Sequence, residues 1–197
     1  MIQLLIATRN AHKVHELAQI LIGVPVVLRS LADEGISDEV DETGATYAEN
    51  AVLKATTYAR LSGMWSLADD SGLEVDYLGK EPGLRSARYA GEGASNQERI
   101  AKLLRNLEGV PWERRTARFV CVIAIANPDG TPALFEGTCE GIIALAPKGE
   151  GGFGYDPVFY MPEFGCTMAE LSEQVKNRVS HRARAAQEAV PFLSEPR

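Results

Sequence analysis

The chain has 197 residues, 45% of them hydrophobic and 24% charged, with a formal net charge of -7. These are the proportions of a folded globular protein and exclude disordered, collagen-like and coiled-coil chains. The acidic balance also excludes a general nucleic-acid coat, which needs clustered Lys and Arg to release counterions, but leaves room for a small anion held by a few placed cations.

The chain opens with "IQLLIA", a short strand-like run that lacks the basic start and cleavage site of a signal peptide and is too short to span a bilayer. No membrane partner is expected. Asn10 then caps a helix on which Val14, Leu17, Ala18 and Leu21 recur at helical spacing up to Gly23, and "VPVVL" reads as a second strand. The acidic stretch Asp33 to Glu42 reads as loop. Thr46-x-x-Glu49 is a capping box that opens a helix through about Leu61, and "MWSLADD" is a buried strand closed by a Ser-Gly turn. A second box, Ser95-x-x-Glu98, starts a helix with Ile100, Leu103, Leu104 and Leu107 inward. "ARFVCVIAIA", Ala117 to Ala126, is the longest β-rich run; the turn "NPDG" closes it and "PALFEGTCEGIIALAP" supplies two more strands. A Gly-rich segment, a Thr167-x-x-Glu170 box and a terminal helix from near Ser180 complete the chain. Cys121, Cys139 and Cys166 are odd in number and widely spaced, which indicates neither a disulfide framework nor a zinc knuckle and fits a reducing cytoplasm. Together these elements predict an α/β fold, one domain over residues 1–197 with two lobes around a long twisted mixed sheet and a central cleft.

Four stretches could carry chemistry. Asp69 and Asp70 cannot both be buried as free anions, so either a cation intervenes, with a divalent metal as the natural candidate, or the strand ends in a solvated acidic turn. "ATRNAHK" places Thr8 and Asn10 at the mouth of the first helix, where N–H groups and the helix dipole favour anions, and Lys13 adds a full charge. It is not a Walker A loop. Lys54, on the second helix, reads more simply as pairing with Asn50 and solvent than as a phosphate ligand. "KGEGGFGYDPVF" contains a literal G-x-G-x-x-G, but Tyr-Asp-Pro follows it where a dinucleotide fold needs a helix. What remains is a loop delivering Phe153, Tyr155 and Asp156, an aromatic surface and a carboxylate suited to a base. "KNRVSHRARA" clusters Lys176, Arg178, His181, Arg182 and Arg184 in an acidic chain and is the anion-facing candidate. His12 and His15 read as surface residues.

Read together, "TRN..K", "DETG.T..EN..LKA", "ADDSGL.VD.L...PG..SARY.G", "GGFGYDP.F" and "K..VSHR" resemble the non-canonical purine nucleoside triphosphate pyrophosphatases, the inosine/xanthosine triphosphate-cleaving family, in order and over nearly the whole chain. The resemblance implies a Mg2+-dependent cytoplasmic homodimer whose cleft binds a nucleotide, cleaving dITP, ITP and XTP to the monophosphate and pyrophosphate. By position it implies Asp70 as catalytic proton acceptor and metal ligand, Asp41 as the second metal carboxylate, and Asp69 and Glu42 as outer supports. Thr8, Arg9, Asn10, Ala11, His12, Lys13, Ser71 and Lys176 fall on triphosphate and sugar contacts, and Phe153, Gly154, Tyr155, Asp156, His181 and Arg182 on the base pocket. Arg9 stands where the family commonly has Gly or Asn, and Val175 where an acidic residue is usual.

The implied chemistry needs an aligned water, a base and charge neutralisation on the leaving pyrophosphate. A donor such as Arg182 aimed at purine O6 would accept inosine and oppose the amino group of adenine. Three other readings compete. A regulatory module would bind without turnover, a haloacid-dehalogenase-type phosphatase would want Asp-x-Asp, and a nucleic-acid binder conflicts with the charge.

Overall fold

A computed structural model describes residues 2–195 and shows a mixed α/β fold. Its strands are β1 (Ile2–Ile6), β2 (Val26–Ser30), β3 (Trp65–Val75), β4 (Thr116–Ala126), β5 (Ala133–Ile143), β6 (Phe159–Met161) and β7 (Cys166–Thr167). They form one seven-stranded sheet in the order β2-β1-β3-β4-β5-β6-β7. β1 runs parallel to β2 and β3, whereas β6 is antiparallel to β5 and β7. The helices are α1 (Ala11–Ile20), α2 (Tyr47–Ser62), α3 (Asn96–Asn106), α4 (Glu173–Val179) and α5 (His181–Ser194). Three start where the sequence places a cap. Asn10 accepts from the amides of His12 and Lys13, Thr46 accepts from that of Glu49, and Ser95 and Glu98 form a reciprocal box.

The chain divides into two compact units. The first comprises the described residues through Ser71, then Cys121–Gly137, and those from His181 onward. Period-two alternation gives its strands two buried faces. Leu4, Ile6, Leu67, Cys121, Ile123 and Ile125 pack with Leu17 of α1, with Leu21 just beyond it, and with Ala185, Ala186 and Ala189 of α5. Leu5, Ala68, Val122, Ala124 and Ala126 pack instead with Ala51, Ala55, Tyr58 and Ala59 of α2. The second unit, Gly72–Val120 and Thr138–Ser180, has its own core. There Leu73, Val75, Phe119, Ile143 and Phe159 pack with Ile100 and Leu103 of α3 and with Leu107 just beyond it.

Two expectations about elements are corrected, while the Thr167 capping box and the terminal helix form as expected. β3 does not end in a Ser-Gly turn but continues to Val75, because Leu73 and Val75 keep the inward alternation and are fully buried. "ALFEGTCEGII" is one strand, not two. Its glycines are close-approach positions: a Cβ on Gly137 would lie 2.1 Å from the His181 carbonyl oxygen of α5, and one on Gly141 would lie 2.6 Å from the Phe159 ring. The Thr167-x-x-Glu170 box opens a three-residue 3-10 turn, and the helix expected from near Ser180 is preceded by α4, capped by Ser172.

Candidate active site

Asp69 and Asp70 lie mid-strand, so the pleat sends their side chains to opposite faces. Asp69 shares a face with Leu67 and points toward α1 and α5. Its Oδ2 lies 2.8 Å from Lys13 Nζ and 3.1 Å from an Arg182 terminal nitrogen, and Arg182 Nε is 3.3 Å away. Arg182 also donates to Glu16 Oε2 at 2.6 Å and to Ser71 Oγ at 3.1 Å. Burial alone would raise the Asp69 carboxyl, but Lys13 and then Arg182 outweigh it and hold it far below the usual carboxylate range. For Arg182 burial acts downward, and Asp69, Cys121 and Glu16 raise it above its ordinary value. Burial, with Asp69 beside it, pushes the Cys121 thiol up to about 12, so this cysteine is inert. Of the two sequence readings of the acidic pair, Asp69 follows that of an intervening cation, and the cations are the protein's own.

Asp70 shares the face of Ala68 and meets α2. Asn50 Nδ2 donates to its Oδ2 at 3.1 Å, and Lys54 Nζ lies 3.4 Å from its Oδ1. Lys54 also donates to the Asp69 carbonyl at 2.8 Å and to Glu42 Oε1 at 2.5 Å. The bland reading of Lys54 is therefore corrected. Asn50 and Lys54, one turn apart, both serve the strand. Burial raises the Asp70 carboxyl, Lys54 opposes the rise and the negative charge of Glu42 adds to it, leaving Asp70 above an ordinary Asp. Asn50 Oδ1 in turn accepts the Gly44 amide at 2.7 Å, which anchors the acidic loop to α2. Sequence reasoning missed this role of Asn50; its signal was the Asn50-x-x-x-Lys54 spacing inside a capped helix. Glu16, one turn beyond Lys13, was missed in the same way.

Other candidates fall as follows. Asp41 is exposed, and the carboxylate that reaches Asp70 through Lys54 is Glu42. Thr8 Oγ1 accepts the Asn10 amide at 3.2 Å, and Asn10 takes up the amides of His12 and Lys13 that the sequence offered to an anion. Arg9, Ala11 and His12 are exposed, and Arg9 donates to the Ser37 carbonyl. The guanidinium of Arg182, expected to face a base, is instead buried on Asp69, Glu16 and Ser71. The neighbouring His181 is also buried.

In the second unit, Asp156 Oδ2 accepts the Phe153 amide at 2.8 Å and pairs with Lys176 Nζ at 2.5 Å, while that ammonium sits 4.9 Å from the centre of the Phe153 ring. Both charged groups are buried. Gly152, at φ 69°, leaves no room for a Cβ, which would lie 2.0 Å from Asp156 Oδ2. Tyr155 is buried and its hydroxyl donates to the Ser86 carbonyl at 2.9 Å, so it supports the loop from behind. Aromatic ring and carboxylate thus form one set, as the sequence grouped them, and Lys176, which the sequence placed with the anion-facing cluster, joins them.

Comparison with known proteins gives a consistent picture. The model of the Ham1 family matches residues 4–192. A "dITP/XTP pyrophosphatase" of Geobacillus kaustophilus is 56% identical over 183 residues, covering 93% of this chain and 90% of that protein. One of the same name from Geobacter sulfurreducens is 52% identical over 185 residues, covering 94% and 93%. Among solved structures, a HAM1 protein from Coxiella burnetii superposes with a TM-score of 0.90 at 40% identity, covering all of both chains.

Proposed function

The chain belongs to the Ham1 family, and on that premise we propose that it hydrolyses dITP, ITP and XTP to the monophosphate and pyrophosphate. The observation that carries the proposal is the division of labour between two adjacent carboxylates. Asp69 is locked as an anion by Lys13 and Arg182, while Asp70 is held by an amide and an ammonium with its proton affinity raised. Paired acids driven apart in this way mark an acid–base site.

In the proposed reaction Asp70 takes a proton from a water whose oxygen attacks the α-phosphorus, and the bond from that phosphorus to the bridging oxygen breaks, releasing pyrophosphate. Asn50 and Lys54 fix the orientation of the accepting carboxylate. Ser71 and the Thr8–Lys13 segment are the proposed contacts for phosphate and sugar. Mg2+ is part of the proposal, and the donor set fits it. Glu42 and Asp70 already share one cation, the Lys54 ammonium, and two carboxylates with water and phosphate oxygens are what this ion takes. Glu42 and Asp70 would hold it, with Asp41 in the same loop beside them, and it would supply charge neutralisation on the triphosphate.

For the base, Phe153 offers a ring to stack upon and Lys176 a donor beside that ring's face. A purine O6 accepts from the ammonium, whereas the amino group of adenine would meet donor with donor. The proposal also includes a cytoplasmic homodimer. All three cysteines carry free thiols, which fits a reducing compartment. Among the described residues no helix is long and apolar enough to cross a membrane.

The test is to incubate the protein with ITP, XTP, ATP and GTP, with and without Mg2+, and to quantify pyrophosphate and orthophosphate separately. Pyrophosphate from ITP and XTP, little from ATP and GTP, and none without metal is the expected result. Orthophosphate as the product, or binding without product, would overturn it.

A further inference from the structure

The segment "PGLRSARY", Pro82 to Tyr89, has no part in the chemistry above, yet it is tied to the site's neighbourhood by buried hydrogen bonds at several points. Ser86 is the hub. Its hydroxyl accepts the amide of Leu73, on the strand that carries Asp69 and Asp70, at 2.9 Å. The same hydroxyl donates to the Gly83 carbonyl at 2.6 Å, which holds it in place. Its backbone carbonyl accepts the hydroxyl of Tyr155 at 2.9 Å. Ser86 is 8% exposed and Tyr155 4%, so water does not compete for these bonds.

The far end of the segment is clamped to α3. Asn106 Nδ2 donates to the Tyr89 hydroxyl at 2.7 Å, and Lys102 Nζ donates to the Tyr89 carbonyl at 2.6 Å. On the other side, Tyr155 sits in the chain between Gly154 and Asp156, next to the carboxylate that holds both the Phe153 amide and Lys176. The Gly-rich loop is anchored by the Gly151 amide on the Ala169 carbonyl at 3.0 Å and by Asp156 on Lys176, and the Tyr155 hydroxyl on Ser86 is the further tie that joins Phe153 and Asp156 to this segment. Burial raises the phenol above its ordinary pKa, so it remains a donor throughout the neutral range.

We infer that Ser86 is a positioning residue for nucleobase discrimination: it fixes Tyr155 against β3 and thereby places the Phe153 ring and the Asp156–Lys176 pair. The inference rests on the nucleotide reading given above. A site that separates O6 from an amino group works only if its donor is held to a few tenths of an ångström, and the strut from Leu73 through Ser86 to Tyr155 supplies that rigidity.

Two substitutions test it. Ser86→Ala removes the hydroxyl that meets Leu73 but keeps the carbonyl that meets Tyr155, so it reaches the loop only by shifting the segment. Tyr155→Phe keeps the ring and removes only the link. Each is expected to raise KM for ITP about tenfold with kcat little changed, and to lower the ITP-over-ATP ratio of kcat/KM comparably; the double variant should be no worse than the worse single, because both break one strut. Hydrogen exchange of residues 149–156 should quicken in both. Effects that multiply in the double variant, or variants that change thermal stability alone while KM, selectivity and loop exchange stay at wild-type values, would overturn the inference. If Ser86→Ala does not fold, Tyr155→Phe decides by the same readouts. If the wild-type protein does not turn over ITP, the nucleotide reading fails, and loop exchange in the variants still decides whether the strut holds the loop.

Discussion

The two adjacent aspartates should respond oppositely to the same isosteric change. Asp69 belongs to a group of four charges that sum to zero, in which Asp69, Glu16 and Arg182 are buried and Lys13 is half-buried. Asp69→Asn leaves that group with one net positive charge. It also sets an amide nitrogen at the Oδ1 or Oδ2 position, the first buried with no hydrogen-bond partner and the second facing cations. Removing one partner of a buried ion pair costs about 3–5 kcal/mol. The lower end applies, because Lys13 keeps 16% of its side chain exposed and can turn to solvent. A loss of about 3 kcal/mol in a chain of this size lowers Tm by about 6–12 °C.

Asp70→Asn should leave stability within about 0.5 kcal/mol of wild type or raise it, since burial already favours the neutral form, yet it should cost about 10^2–10^4 in kcat through loss of the base. Urea unfolding and ITP turnover on both variants give the comparison. The sign with pH follows from the lowered carboxyl of Asp69. Its stabilisation is full at neutral pH and is lost only as pH falls below about 4, so the gap between wild type and Asp69→Asn should be constant from pH 8 to about 5 and narrow below about 4. Equal destabilisation by the two substitutions, or an Asp69→Asn variant as stable as wild type, would refute the reasoning.

Other consequences are as direct. Lys54 holds the Asp70 carboxyl down against burial, so Lys54→Met should move the acidic limb of the pH–kcat/KM profile for ITP to higher pH; an unmoved or lowered limb would show that Asp70 is not the group titrating. A Cβ on Gly44 would lie 2.7 Å from Asn50 Oδ1, so Gly44→Ala should displace Asn50 from Asp70. It should lower kcat about tenfold or more with KM little changed, and steady-state kinetics showing a pure KM effect would contradict that role. Phe153→Ala should weaken binding of the product monophosphate by about 5–150-fold, the worth of one stacked base, as read by a binding titration, and an unchanged Kd would contradict the stacking role.

What the sequence made legible was local. Asn10, Thr46 and Ser95 announced their helices because a cap and the helix it starts lie within four residues of each other. The grouping of Phe153 with Asp156 was legible for the same reason. The β3 overrun was not, because "DSG" is turn chemistry in isolation and becomes strand only when Leu73 and Val75 find a core contributed by α3. "PALFEGTCEGIIALAP" misled in the opposite direction: it reads as two strands and is one through Gly137 and Gly141, whose lack of a Cβ answers to α5 and Phe159, far along the chain.

The site divides in the same way. An acidic pair demanding a cation could be read from Asp69 and Asp70, but Arg182, the partner of Asp69, lies 113 residues away, and a basic cluster has no local signal that separates an internal counter-ion from a ligand contact. The place of Glu42 beside Lys54 has a comparable origin. The acidic loop has no periodicity, and which of two neighbouring carboxylates meets the ammonium is decided by where Lys54 stands on α2.

The central claim is that a water activated by Asp70 attacks the α-phosphorus of a purine triphosphate such as ITP. A single turnover of ITP in heavy-oxygen water, with both products analysed by mass spectrometry, tests it most directly. The label should appear in the monophosphate and not in the pyrophosphate; label in pyrophosphate, or in released orthophosphate, would contradict it.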